Sequence, residues 1–197
     1  PATEVRVFKG RDSTGVRGVR LAACDSVVSM SVIRHFDADP AERAAYLKQR
    51  RLMAGAPDDD AETDEDDEDA ADGQLTQDRY DQMAAAEDLI LTITASGQGK
   101  LSSSHDYPVR GRGGQGVKAI SSGARGGALV ACFPVEPGDQ VMLATSTGQS
   151  IRCPVDGISF RSRSAGGVKV FDTGAGEEVV SVARIASDGE DAEGEGE

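Results

Sequence analysis

The chain has 197 residues, only 4% of them aromatic, and a formal net charge of −13. That length holds one domain or two small ones, and the absence of an 18-residue apolar run excludes a spanning helix. Three widely spaced cysteines, Cys24, Cys132 and Cys153, with no C-x-x-C pair, exclude a disulfide framework or zinc ribbon and point to a reducing compartment. No basic region precedes an apolar stretch as in a secretory signal, and the start at Pro1, inside a patterned segment, suggests a piece of a longer protein.

The charge is unevenly spread. Residues 34–88 hold 6 basic and 18 acidic side chains, and residues 186–197 hold no base and 6 acids. The remainder, 1–33 and 89–185, holds 15 basic and 10 acidic side chains, a balance of +5. A mildly basic body with two acidic segments has different partners from a uniformly acidic protein.

In chain order, KGRDSTGVRGVRL (9–21) is followed by an apolar run, VVSM, at 27–30. The segment 37–55 reads as a helix, with Asp39 as N-cap, Pro40 in the first helical position and Glu42 completing a capping box. Residues 58–72 contain 11 acids and no base, and no register supplies both the glycine and the glutamate of a calcium loop; a solvated, disordered run is expected. TQDRYDQMAAAED (76–88) reads as a second helix. LILTIT, a Ser96-Gly97 turn and the residues after Gly99 read as a β-hairpin, and VMLATS, Thr147-Gly148 and SIRCPV read as another. The last residues, 186–197, read as a disordered acidic tail, a solubilising end or a competitor for the basic surface.

Laying the chain on itself exposes a repeat. With a shift of 51 residues, VRGRGGQGVKAI (109–120) falls on FRSRSAGGVKVF (160–171), and LILTITASGQGK (89–100) on QVMLATSTGQSI (140–151). With a shift of 101, residues 9–21 join the same columns, so that R-x-x-x-G-V-[RK] occurs three times. ALVA (128–131) and VVSV (179–182) occupy the place that VVSM holds in the first copy. About 50 residues per repeat, in short β-branched runs with glycine turns, predict an all-β, propeller-like array of about four-stranded blades. The divisions are the second half of a blade at 1–33, a helical and acidic insertion at 34–88, a complete blade at 89–135, a terminal blade at 136–185, and the tail. About two and a half blades are present.

The repeat also disposes of a false motif. Gly111-x-Gly113-x-x-Gly116 has the spacing of a dinucleotide cradle, which requires a helix after its last glycine. Val117–Ile120 reads instead as strand, and in the next copy Ser164 stands in the column of Gly113 and Ala165 in that of Gly114. No catalytic triad, phosphate loop or metal cluster is visible, and His35 and His105 stand at no ligand spacing. Catalytic residues, metal ligands and cofactors are expected to be absent from this piece.

What recurs is base. Arg11, Arg112 and Arg163 open the three motifs, and Arg17, Lys118 and Lys169 follow the Gly-Val. Arg20, Lys100, Arg110, Arg125, Arg152 and Arg161 add to them. Around an array such residues would track a phosphate backbone, and the scarcity of aromatics favours bent duplex over stacked single strands. For the motif arginines a second reading is equally open, that they bond loop carbonyls and fix the blade. Gly15, Gly97, Gly116, Gly148 and Gly167 read as turn or bulge residues.

Segments such as GRDSTGVRGVRL, ILTITASGQGK, VRGRGGQGVKAI and GEEVVSVARI resemble the C-terminal β-pinwheel domain of the A subunit of bacterial DNA gyrase. The resemblance covers 4–33 and 88–185, and the insertion is similar to that of alphaproteobacterial members. It implies a module that wraps double-stranded DNA around a basic rim in a cytoplasmic A2B2 complex, whose B subunit uses ATP and Mg2+ to drive negative supercoiling. The family's basic-glycine box is not here, GRGGQG at 111–116 being a degenerate relative, and the gate tyrosine belongs to upstream sequence, so the piece alone should be inactive. The alternatives are the related module of topoisomerase IV, which binds crossings without wrapping, and a propeller-like protein-interaction module.

Overall fold

The computed structural model describes residues 2–55, 75–121 and 126–187. Its regular elements are α1 (Pro40–Met53), α2 (Gln77–Ala85), β1 (Leu89–Thr94), β2 (Gln98–Ser103), β3 (Leu129–Val135), β4 (Gln140–Thr145), β5 (Ser150–Pro154), β6 (Val168–Lys169) and β7 (Val179–Ile185). The strands form two antiparallel sheets, ordered β3-β1-β2-β6 and β5-β4-β7.

Each sheet is built on a hairpin that the β-branched runs favour and a glycine closes. The two hairpins repeat down to single bonds. The Thr94 hydroxyl meets Ser96 at 3.1 Å and donates to the Gln98 carbonyl at 3.3 Å. In the next repeat Thr145 meets Thr147 at 3.2 Å and donates to the Gln149 carbonyl at 3.4 Å. The register slips at Ile93/Thr94 in one sheet and at Ala144/Thr145 in the other, the same column 51 residues on. Leu91 stands between Leu101 and Phe133, and Leu143 between Ile151 and Val182. Leu91, Ile93, Val141, Leu143, Val155 and Val179 enter one core shared by both sheets, so neither hairpin buries its apolar face alone.

The fourth strand of the first sheet crosses the repeat boundary. β6 belongs to the motif of the following repeat and pairs with β2, Gly99 opposite Val168 and Gln98 opposite Lys169. The backbones can meet because a Cβ on Gly167 would lie 2.8 Å from the Gly99 nitrogen. In the second sheet the corresponding edge, along β5, carries no strand among the described residues.

Two expectations are corrected. Val117–Ile120 is not a strand, although no helix follows Gly116 either, so the dinucleotide cradle stays excluded. Residues 5–33, where a half-blade was expected, form no strand. Their VVSM segment sits in the column of β3 and β7, but those strands lie on β1 and β4. No corresponding hairpin flanks 27–33 among the described residues, and Val28, Met30 and Val32 are exposed. A strand needs a neighbour to pair with, and pattern alone does not make one.

The insertion is a docked pair of helices. Asp39 accepts from the Glu42 amide at 2.8 Å while Glu42 accepts from the Asp39 amide at 3.2 Å, and Thr76 caps α2. Tyr46, Tyr80 and Met83 form a second buried cluster, with the tyrosine rings 5.0 Å apart. His105, at the end of β2, packs edge-on against Tyr46 at 5.1 Å, and its Nε2 donates to the Met83 carbonyl at 2.9 Å. Arg34 closes the neck of the insertion on Asp88 through its amide at 2.7 Å and its Nε at 2.9 Å. The whole acidic run expected over 58–72 and all but the first two residues of the 186–197 tail lie outside the described residues, from 56 to 74 and from 188 onward.

Candidate nucleic-acid interface

The twelve candidate bases divide by burial. Arg11, Arg17, Arg20, Arg110, Arg112, Lys118, Arg152 and Lys169 are exposed, Arg161 is half-buried, and Arg125 lies outside the described residues. Lys100 has no exposed surface and Arg163 is 3% exposed.

Among the exposed bases, some already have neighbours. Arg11 stands 3.9 Å from Asp12, both side chains almost fully in solvent, where an ion pair is weak. Lys169 meets Asp172 at 2.8 Å, and Arg152 donates to the Gln140 side chain at 2.5 Å. None of these contacts removes the charge from solvent, so each remains available to a phosphate at the cost of a weak surface bond.

Lys100 and Arg163 cannot serve that way, which corrects their assignment. Lys100 Nζ donates to the carbonyls of Ser162 at 2.7 Å and Ala165 at 2.6 Å, and to that of Arg163. Burial pushes its pKa down to about 7, against the opposing pull of Asp106. Arg163 donates through Nε to the Asp106 carbonyl at 2.8 Å and through its guanidinium to the Lys118 carbonyl, while its amide donates to Asp106 Oδ2 at 2.7 Å. At Arg163 the loop-fixing reading holds. A lysine on an otherwise ordinary strand gives no sequence signal of such a cage; the only hint is that its column holds Ile151 in the next repeat.

The turn glycines also divide. Gly97, Gly116 and Gly148 have positive φ, whereas Gly167 is required for close approach and Gly15 shows neither requirement. Among the described residues no group of three His, Cys, Asp or Glu side chains could hold a metal, and no helix is long and apolar enough to cross a membrane.

The family model described as the DNA gyrase C-terminal domain, beta-propeller, matches residues 1–34, 88–136 and 139–186. It skips the insertion and resumes at its end. The chain is 47% identical over 187 residues to the DNA gyrase A subunit of Granulibacter bethesdensis, covering 90% of this chain and 20% of that protein. It is 37% identical over 200 residues to the DNA gyrase A subunit of Rickettsia bellii, covering 100% of this chain and 21% of that one. Among solved structures, a DNA gyrase A C-terminal domain matches half of this chain and 34% of its own length, with 21% identity and a TM-score of 0.47. The C-terminal domain of a DNA topoisomerase IV matches at 21% identity and 0.46, over half of this chain and 31% of its own. The chain spans about a fifth of the length of the curated relatives it matches.

Proposed function

The chain belongs to the DNA gyrase C-terminal β-propeller family, and from that membership we propose that it is the DNA-wrapping module of a gyrase A protein. The observation that carries the reading is that exposed bases recur on all three copies of the motif in the matched segments: Arg11 and Arg17, Arg112 and Lys118, and Lys169. Phosphate contacts of this kind position a duplex without reading its sequence, which suits bending over base recognition. In this reading the first motif segment at 1–33, the blade at 89–135 and the terminal blade at 136–185 present one continuous basic rim. The wrapped segment is delivered to a gate elsewhere in an A2B2 complex. There ATP and Mg2+ at the B subunit drive passage that adds negative supercoils, in the cytoplasm. Strand cleavage and ATP hydrolysis belong to sequence outside this chain, so the piece alone is inactive.

The test is a linking-number assay with the full-length protein. It is bound to nicked circular DNA, the nick is ligated, the protein is stripped and the topoisomers are separated. A dose-dependent shift in linking number is expected. Binding without a shift would replace wrapping by simple crossing recognition, as in a topoisomerase IV-like module, and no binding even at low salt would leave a protein-interaction module.

A further inference from the structure

The joint between the two sheets rests on little regular structure. The ladder between β2 and β6 is two residues long. It is flanked by a few isolated bonds: the Leu101 amide to the Ser159 carbonyl at 3.0 Å, the Arg161 amide to the Leu101 carbonyl at 2.8 Å, and the amides of Val170 and Phe171 to the Gly97 carbonyl at 2.9 and 3.0 Å. Between these anchors residues 162–167 form a loop whose middle, Arg163–Ala165, is buried, and three of its carbonyls converge on one ammonium. Lys100 has three N–H donors and meets three acceptors, so the cage is filled without a water or a second side chain. Arg163 grips from the other side, spanning Asp106 at the end of the first hairpin and the Lys118 carbonyl in the preceding motif.

The same joint continues down the chain. The Ser121 amide donates to the Ala165 carbonyl at 3.2 Å, and the Arg20 amide donates to the Gly114 carbonyl at 2.8 Å. These two bonds occupy the same columns of the repeat, so each motif is tied to the loop of the next at the same place; between the first two motifs the Gly113 amide also donates to the Gly18 carbonyl at 2.8 Å. Only the joint holding Lys100 and Arg163 adds two buried cations. Burying a charge is unfavourable unless hydrogen bonds replace its water, and here they do so at fixed positions and directions. An apolar residue in the Lys100 column would fill volume but would not dictate where three carbonyls point; in the other hairpin, whose edge is open among the described residues, the same column holds Ile151 in an exposed position.

We propose that Lys100 and Arg163 form a latch that fixes the setting of one blade on the next, and with it the curvature of the surface that the duplex follows. The proposal rests on the wrapping reading above. Lys100 has no exposed surface and Arg163 almost none, so the latch acts by positioning: it governs how DNA is bent and leaves the phosphate contacts alone. The insertion braces the same joint, since Arg50 of α1 stands 4.8 Å over the ring of Phe160, which bridges to Leu101.

The experiment uses the full-length protein with Lys100→Met, and Ile151→Met as the control in the same column of the other hairpin. Affinity is read on a duplex of about 20 base pairs, far below the persistence length of about 150, so that bending contributes little. The Lys100→Met protein should bind it within about twofold of wild type, because the phosphate contacts that set this affinity are intact. Its linking-number shift per bound protein should be lost, and the amides of Leu101, Arg161 and Val170 should exchange faster by hydrogen–deuterium exchange. Ile151→Met should match wild type in all three. Should Lys100→Met not fold, Arg163→Lys, which keeps the charge but cannot span two carbonyls, should give the same pattern. A weakened short-duplex affinity with unchanged exchange would overturn the latch and return Lys100 to the phosphate contacts. Faster exchange with an unchanged linking-number shift would overturn its control of curvature. A wild-type protein that gives no shift would sink the wrapping reading itself, and unchanged exchange in the variant would then sink the latch separately.

Discussion

The two hairpins share sequence columns, turn glycines, bulges and threonine bonds, yet they end in different surroundings. Along β2 the edge is covered by β6 and the motif loop; along β5 it is open among the described residues. The columns that differ are those the cover touches. Gly99 and Lys100 stand where Ser150 and Ile151 stand in the other hairpin. Gly99 is crowded from both sides: a Cβ there would lie 2.9 Å from the Thr92 carbonyl of its own hairpin and 3.1 Å from Val170 Cγ2 of the cover, where Gly167 also comes up against its backbone. A repeat therefore specifies the hairpin, and its neighbour specifies which positions may vary.

The sharpest way to break this comparison is at Gly97 and Gly148. Both have positive φ, +74° and +87°. A Cβ on Gly97 would lie 2.3 Å from the Phe171 carbonyl oxygen, whereas one on Gly148 meets nothing within 4 Å. Gly97→Ala should therefore destabilise by about 3 kcal/mol, adding backbone displacement to the left-handed penalty, and Gly148→Ala by only about 1 kcal/mol. Urea unfolding of the two variants measures the difference. Equal losses would mean that the covered edge yields freely, and that β6 is not held against the turn.

An effect of comparable size separates the two hairpins by pH. In the unfolded chain Lys100 keeps its proton up to an ordinary value of 10.5, and in the folded chain burial lowers that to about 7. Between the two values the unfolded chain binds more protons, so this group makes stability rise with pH across that window, with the full cost of charging it felt below pH 7. The groups facing it are Asp106, Arg163, Arg161 and Cys132. Urea midpoints at pH 6.5, 8 and 9.5 should show wild type gaining on Lys100→Met as pH rises. A constant difference would mean that the three carbonyls hold the proton throughout.

Much of this was legible in the sequence where the signal was local or repeated. The capping box at Asp39–Glu42 predicted α1 because its bonds are made within one turn. The 51-residue shift located both hairpins because turn glycines and β-branched runs recur in register. What escaped depends on partners distant in sequence. Val117–Ile120 and Val168–Lys169 share a pattern, but only the latter has a β2 beside it, so only the latter is a strand. Lys100 and Arg112 look alike as exposed bases, yet the first is caged by residues more than 60 positions away and the second is not buried. His105 has no ligand spacing because its role is packing: its ring stands nearly at right angles to that of Tyr46 in the insertion, and its Nε2 donates to the Met83 carbonyl.

The smallest effects belong to the exposed bases, and they decide whether the motif arginine has one role or two. Arg112 and Arg163 open successive copies of the same motif, one exposed and one buried. If Arg112 contacts a phosphate, its replacement by Ala releases about one fewer counterion, and the slope of log affinity against log salt should flatten by about 0.9. Lys118→Ala should do the same, with the losses adding if the two contact separate phosphates. Arg163→Ala should leave the slope unchanged on a short duplex, since a guanidinium spent on the Asp106 and Lys118 carbonyls displaces no counterion from DNA. Titration across a range of salt distinguishes the cases better than affinity at one salt, because a distorted fold lowers binding without changing the number of ions released. Equal slope changes at Arg112 and Arg163 would mean that the motif arginine faces DNA in every copy. A change at Arg112 alone would mean that burial by the neighbouring blade, not the motif, decides which arginines hold DNA and which hold the wheel.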